Sequence, residues 1–428
     1  MGKERELAGK YLEEKRYEES EKIYFKLWND SVNDKWLSWE YAKTLKGLGN
    51  FDKAIKVCKT FYKKDNSFKY VNDLLSWCLY EKYIINMNDI NDTKEMLNVE
   101  KIGRFIISIV DNNKNTPYEI IIFKFLKKYK KPFNAIKLKE WLQYIEPDKL
   151  SDTPFKFNDN KGKSREYASK REEYYYLKCK SLYILSDYAG CIKECDEALQ
   201  NIATFHFDYN IWIRRFKALS TAELGDKLKA IKILKSILHD KEHWIIYFNI
   251  FEMYVSLKMY DNGLVYAYKA ALMDGDKDVK VVLFEKIGDV LLQQENKDIA
   301  LRHYILSKEI RMKKNWNIGN NLMRVIDSLK VTTNVNNLSY SHLRDYWIKE
   351  TIKSKKRESG TIVKVIANGK SGFIKNERNS YFFKKVSILN NNKNFYEGLR
   401  VTFSIVDSFD NKKGIKSKEA IDIILGVE

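Results

Sequence analysis

Up to about Lys330, apolar positions recur at the three- and four-residue intervals of amphipathic helices, in runs a few turns long separated by short polar turns. "AKTLKGLGNFDKAIKVC" (residues 42–58) shows the form: one helix, a turn at Gly49, and a second helix opening at Phe51. From Gly360 onward the interval drops to two, as in "TIVKV" and "SYFFK", the alternation of strands that bury one face. The change of period marks a domain boundary. Between the two regimes, "VTTNVNNLSYS" has the composition of a linker and "HLRDYWIKETIKSKKRE" that of a basic helix.

The helical part is self-similar. Tyr11, Tyr17, Ser20 and Tyr24 recur as Leu45, Phe51, Ala54 and Cys58, each 34 positions on. Later copies place Cys179, Tyr188, Cys191 and Ala198, then Ala218, Gly225, Ala230 and Ile237, in the same slots. Tyr254, Tyr260, Gly263, Ala267 and Ala270 follow, and Gly288, Leu291, Ala300 and Tyr304 close the series. Small residues that let two helices approach, alternating with aromatics that fill the gaps between hairpins, resemble the tetratricopeptide repeat, although the proline that usually ends each repeat is missing. The resemblance implies a mostly α chain, a tetratricopeptide-type α-solenoid, with "NWNIGNNLMRVIDSLK" capping its open end. The expected domains are amino-terminal repeats over 1–67, divergent helical hairpins and a polar loop over 68–171, and a central array with its cap over 172–330. A linker and basic helix over 331–357 lead to a β domain over 358–428. Family geometry places Tyr176, Tyr183, Trp212, Arg215, Phe248 and Glu252 along the concave face of the central array, as a groove for a protein or peptide.

The last segment divides into five strand-like pieces, Thr361 to Ile366, Ser371 to Lys375, Tyr381 to Lys384, Leu399 to Val406 and Lys418 to Ile424, with Asn368-Gly369 as a hairpin turn. In this order, with Gly360-Thr361 and the Gly372-Phe373-Ile374 motif at matching spacing, they resemble a cold-shock domain, a small all-β barrel of the OB type. The resemblance puts Phe373 and Phe382 on the outward, nucleic-acid-facing surface and implies single-stranded RNA or DNA as the partner. Alternation sends Tyr381 and Phe383 to the core. Lys364, Ser371 and Lys384 stand where the family carries two further aromatics and a histidine. Each stacked base contributes about 1–3 kcal/mol, so binding should be weak, sequence-tolerant and dominated by salt-dependent phosphate attraction. The expected site is Lys364, Lys370, Phe373, Lys375, Phe382, Lys384 and Lys385. "IKSKKRE" is a candidate extension of a phosphate track, and "KFLKKYKKPF" reads as a solvated helix face.

The formal charge of +19 agrees with an anionic partner. Its weight is reduced because Lys, Asn, Ile and Tyr are enriched together throughout. Five cysteines form no disulfide framework. The charged opening lacks the apolar run of a signal peptide, and runs such as "WIIYFNIF" are too short to span a bilayer, so no membrane association and a cytoplasmic location are expected. No phosphate loop, HExxH or paired CxxC occurs, and Cys191 and Cys195 fall in small-residue repeat slots, so neither catalysis, nor a cofactor, nor a metal is expected. The resulting reading is a non-enzymatic adaptor or sensor that binds a protein through its repeats and nucleic acid through its barrel. Such combinations look like accessory components of bacterial phage-defence or conflict systems. The alternative is a protein-only scaffold whose barrel no longer binds nucleic acid.

Overall fold

The computed structural model describes residues 2–113, 115–160, 162–333, 340–367, 369–390, 394–410 and 414–426. By its internal contacts the chain divides into two units, Met1–Asp187 and Tyr188–Glu428.

The first unit is built of α1 (Gly2–Glu13), α2 (Tyr17–Asp30), α3 (Lys35–Gly47), α4 (Phe51–Lys64), α5 (Lys69–Leu79), α6 (Thr93–Ile109), α7 (Tyr118–Lys130) and α8 (Ala135–Leu142). A ribbon of β1 (Lys156–Asn158) and β2 (Ser164–Glu166) precedes α9 (Lys170–Ile184). Each helix packs on the next. Helix starts follow local chemistry: Asp34, Asn50, Asp92 and Asn134 accept from backbone N–H groups one turn on, and Ser169 with Glu172 closes a reciprocal capping box. The repeat slots are buried as the 34-residue period predicts, with Ala8, Ala42, Ser20 and Ala54 inaccessible to solvent. The turns inside the first two hairpins pass through a left-handed residue, Lys15 in the first and Gly49 in the second. The polar stretch expected as a loop holds the β1–β2 ribbon, because Phe157 and Tyr167 stack with centroids 4.4 Å apart.

The second unit continues with α10 (Tyr188–Asn201), α11 (Tyr209–Glu223), α12 (Lys227–Asp240), α13 (Trp244–Ser256), α14 (Tyr260–Leu272), α15 (Val281–Gln293), α16 (Lys297–Lys313), α17 (Asn320–Thr332) and α18 (Tyr340–Ile352). As expected, α17 packs on the last hairpin. The stretch read as a basic helix, α18, packs on α14 and α16 and completes the cap. Trp347 is fully buried, stacked on Phe284 at 5.7 Å, with its Nε1 donating to His303 Nε2 at 2.8 Å. An indole N–H only donates, so His303 accepts on Nε2 and is neutral. Burial lowers its pKa to about 4. Most of the expected linker, residues 334–339, lies outside the described residues.

The chain ends in β3 (Glu358–Val365), β4 (Ser371–Lys375), β5 (Ser380–Lys384), β6 (Arg400–Asp410) and β7 (Ile415–Leu425), closed as a barrel in the order β3-β4-β5-β7-β6. Only the β5–β7 contact among these pairings is parallel. Ile362, Ile374, Tyr381, Phe383, Phe403 and Ile423 fill the inside. Gly372 is required there: a Cβ would lie 2.5 Å from the Lys364 carbonyl oxygen and 2.7 Å from the Phe383 ring.

The barrel is seated on the helices of its own unit. Leu389 joins their core, and Arg344 of α18 donates to the Leu389 carbonyl at 2.7 Å. An irregularity in the β6–β7 register puts Asp422 at a φ of 50°, turning it out of the strand alternation. It is 2% exposed, and its carboxylate meets Lys269 of α14 at 2.9 Å and Lys355. Burial pushes the Asp422 carboxyl up, but the two ammonium groups outweigh it and hold it below its ordinary value. Each cation of "IKSKKRE", the candidate extension of a phosphate track, has a partner within the chain, while Lys353 and Lys356 stay largely exposed. Lys353 pairs with Glu350, Lys355 with Asp422 and Lys356 with Glu358, and Arg357 donates to Thr402, Ser404 and the Asp422 carbonyl.

Candidate nucleic-acid interface

The expected barrel residues come together on one surface. A bulge at Val363 shifts the register of β3 so that Ile362 faces inward opposite Ile374 while Lys364 stands opposite Phe373 on the outside. Phe373 is paired directly with Phe382, their rings edge to face at 5.7 Å, and Phe382 is opposite Glu419 of β7. One cross-strand row thus reads Lys364, Phe373, Phe382, Glu419. Both phenylalanines are half-buried, with their neighbours Tyr381 and Phe383 in the core as alternation requires. Lys375 lies two residues along β4 on the same outer face, opposite Thr361 and Ser380. At the other end, Ser371 is opposite Lys384, and the Lys385 N–H donates to the Lys370 carbonyl at 2.8 Å. The turn residue Asn368 lies outside the described residues, while Gly369 takes a φ of 63°.

The charges on this surface are of two kinds. Lys364 and Lys375 are exposed and have no ion pair among the described residues. Lys384 is half-buried, with Nζ 3.7 Å from Glu419 Oε1. Glu419, which the sequence reading did not single out, also accepts from Ser408 Oγ at 3.3 Å. Its carboxylate adds negative charge beside Phe382 and holds one of the expected cations.

The expected protein groove is distributed differently. Tyr176 and Tyr183 are half-buried on α9 of the first unit, and the other four residues belong to the second unit. There Arg215 Nε donates to Asn249 Oδ1 at 2.7 Å, Asn249 Nδ2 donates to Glu252 Oε2 at 3.2 Å, and Glu252 pairs with Lys286. Trp212 packs edge to face on His243 at 5.2 Å. Phe248, placed on the open face by the sequence reading, is 8% exposed and belongs to the core cluster, with Lys286 Nζ of α15 5.5 Å from its ring centroid. Of the five lysines of "KFLKKYKKPF", Lys124 and Lys128 donate to the carbonyls of Ile85, Asn88 and Ile90 and Lys130 pairs with Glu173, while Lys127 and Lys131 are exposed.

An aromatic surface on the first unit went unread. Trp36 of α3 lies 5.1 Å from Phe68 and 5.0 Å from Tyr70, Trp39 is 5.9 Å from Tyr70, and Lys43 sits 4.7 Å from the Trp39 centroid. Trp36 and Tyr70 are exposed. The signal was present in "KWLSWEYAK", where two tryptophans three apart precede a lysine on the same helix face.

The described geometry defines the class: tetratricopeptide-type helical hairpins followed by a closed five-stranded barrel. No protein-family model matches the sequence, and no curated relative matches it either. Among solved structures it is similar to a tetratricopeptide repeat protein from Parabacteroides merdae, at 12% identity over 68% of this chain and 99% of that one, with a TM-score of 0.35. Human IFIT1, solved as a dimer with m7Gppp-AAAA, aligns at 14% identity over 75% of this chain and 69% of that one, with a TM-score of 0.34. A thermophilic tetratricopeptide repeat protein of Thermus thermophilus aligns at 14% identity over 68% and 98%, with a TM-score of 0.21. The chemistry of the site is read from this chain's own residues. No helix among the described residues is long and apolar enough to cross a membrane.

Proposed function

We propose that this protein is an adaptor whose barrel binds single-stranded nucleic acid weakly and with little base preference, while its helical hairpins hold a protein partner. The observation that carries this reading is the Phe373–Phe382 pair, half-exposed on the outer face and flanked by Lys364 and Lys375, which have no ion pair among the described residues. Two rings give a strand two places to stack, and the lysines attract its phosphates. A weak site of this kind gains effective concentration when the helical part is already bound to its partner. A place in a bacterial phage-defence or conflict system would suit such tethering and rests on the architectural analogy alone.

The test is fluorescence anisotropy of a labelled mixed-sequence single-stranded RNA with the full chain, at low and at physiological salt. Binding should weaken as salt rises, and the Phe373→Ala/Phe382→Ala variant should lose about tenfold or more at either salt. A variant that binds as tightly as wild type would remove the aromatic pair from the site. The protein-only scaffold is favoured by one observation, the Glu419 carboxylate in the row of rings. Absence of binding at low salt would establish that reading in place of the first.

A further inference from the structure

We propose that the barrel has a second subsite, around the outside from the aromatic pair, which takes the phosphates of the same strand. The proposal rests on the nucleic-acid reading above and adds to it a place, a chemistry and a residue, Arg400. Thr361 is opposite Arg400 of β6 on one side and Lys375 of β4 on the other, so a cation, a hydroxyl and a cation stand side by side across three strands. They border a cleft of about 540 Å³, also lined by Ser359, Asn376 and Thr402.

Adjacent strands lie about 4.8 Å apart, so the bases of the two cationic side chains are roughly 10 Å apart and their ends can converge above Thr361. Arg400 and Lys375 are exposed and have no ion pair among the described residues. Every lysine from 353 to 356 that carries an ion pair is, by contrast, held by a carboxylate of its own surroundings. The one carboxylate lining the cleft is Glu377, against two cations. Serine and threonine hydroxyls with a guanidinium and an ammonium form a donor set suited to phosphate oxygens. Val363, which the β3 bulge leaves 43% exposed, gives the cleft an apolar wall against which a sugar can lie.

Location selects the ligand. The cation row is displaced from the aromatic row by two residues of β4, roughly 7 Å. A strand stacked on Phe373 and Phe382 therefore carries its next phosphates to Lys375 and Arg400. The cleft is assigned to the sugar-phosphate backbone of a bound strand, and a free nucleotide has the same phosphate chemistry.

The experiment compares wild type with Lys375→Ala/Arg400→Ala in salt titrations of a long labelled oligonucleotide and of a labelled dinucleotide. Lys59→Ala/Lys63→Ala controls for net charge, and all substituted positions are exposed. Losing two phosphate contacts should reduce the slope of log affinity against log salt by about 1.4 and weaken the long oligonucleotide about tenfold at low salt. The dinucleotide, which reaches only the rings and the lysines beside them, should bind the single variant Arg400→Ala as it binds wild type, and the control should leave the long oligonucleotide's slope unchanged. An unchanged slope in a variant of a wild type that does bind would overturn the subsite and leave the platform standing. If wild type binds neither oligonucleotide, the platform reading fails and takes the subsite with it. Adenosine triphosphate that competes with the long oligonucleotide at its own affinity, in a Lys375- and Arg400-dependent way, would overturn the strand assignment in favour of a free-nucleotide site.

Discussion

The barrel carries charge on two sides, and the two are organised in opposite ways. Toward α14 and α18, Asp422 is taken out of water between the part-buried Lys269 and Lys355, each against an opposite charge, and Arg344 and Arg357 end on backbone or hydroxyl oxygens. On the outside of β3, β4 and β6, Lys364, Lys375 and Arg400 face solvent without a partner among the described residues. The face of α11, α13 and α15 is intermediate between the two, with Arg215, Asn249, Glu252 and Lys286 joined in one ladder whose Glu252–Lys286 end stays partly open to solvent. A charge buried without a partner costs several kcal/mol, so a seam of the first kind has to be complete before any ligand arrives. An exposed cation has no such requirement. Complete networks therefore mark where the chain holds itself together, and incomplete ones mark where a second molecule can be accommodated at little desolvation cost.

The strongest way to break this contrast is at Asp422. Asp422→Ala leaves Lys269 and Lys355 facing each other in the seam, and the expected loss is about 3–5 kcal/mol of stability in the second unit. The readout is the melting temperature together with hydrogen exchange of residues 385–389 and 418–425, which should accelerate. The triple substitution Lys269→Met/Lys355→Met/Asp422→Asn removes all three charges, keeps a residue suited to the φ of 50°, and should recover much of the loss. If Asp422→Ala melts like wild type, the seam is not held by charge, and the distinction between the two sides of the barrel fails.

A second test uses pH on the cap beneath that seam. His303 is neutral when folded, with its pKa lowered by burial from 6.5 to about 4. Unfolding lets it take up a proton at its ordinary value, so its contribution is fully present above about pH 6.5 and is lost as pH falls toward 4, up to about 3 kcal/mol. His303→Gln keeps an acceptor for Trp347 and removes the titration. Its melting temperature should fall less than that of wild type between neutral pH and about pH 4. Parallel profiles would show that His303 does not carry the acid sensitivity.

These buried devices were the part least visible in the sequence. Repeats were legible because a small residue in a hairpin can be replaced only by another small one, so Ala8, Ala42, Ser20 and Ala54 keep their period through unrelated surfaces. The outer face of the barrel was legible because strand alternation assigns Phe373, Phe382 and Lys384 to one side without reference to the rest of the chain. Arg400 was missed because its neighbour Thr361 lies on a strand that the sequence does not reveal as adjacent, since barrel closure pairs β3 with β6. The burial of Phe248 was not legible because helical spacing gives the face of a residue but not how deeply its neighbours bury it. Asp422 left a trace, a lone carboxylate inside the apolar run "AIDII", which only a buried countercharge explains.

The finest test is on the one acid that blurs the contrast. Glu419 stands opposite Phe382 and engages Lys384 from 3.7 Å, so the outer face is partly self-paired at its β7 edge. Its side chain is 14% exposed and that of Lys384 38% exposed, so the pair is screened and contributes about 0.2–1 kcal/mol. Glu419→Gln keeps the shape and an acceptor for Ser408 while removing the charge. Single-strand affinity at low salt should rise a few-fold, about as much as that pairing energy allows. The salt slope should steepen by about 0.7 as Lys384 becomes free to meet a phosphate. The melting temperature should barely move. A loss of affinity instead would mean that the Glu419 carboxylate accepts a hydrogen bond from a base edge, and the face would then be complete for recognition rather than partly closed against it.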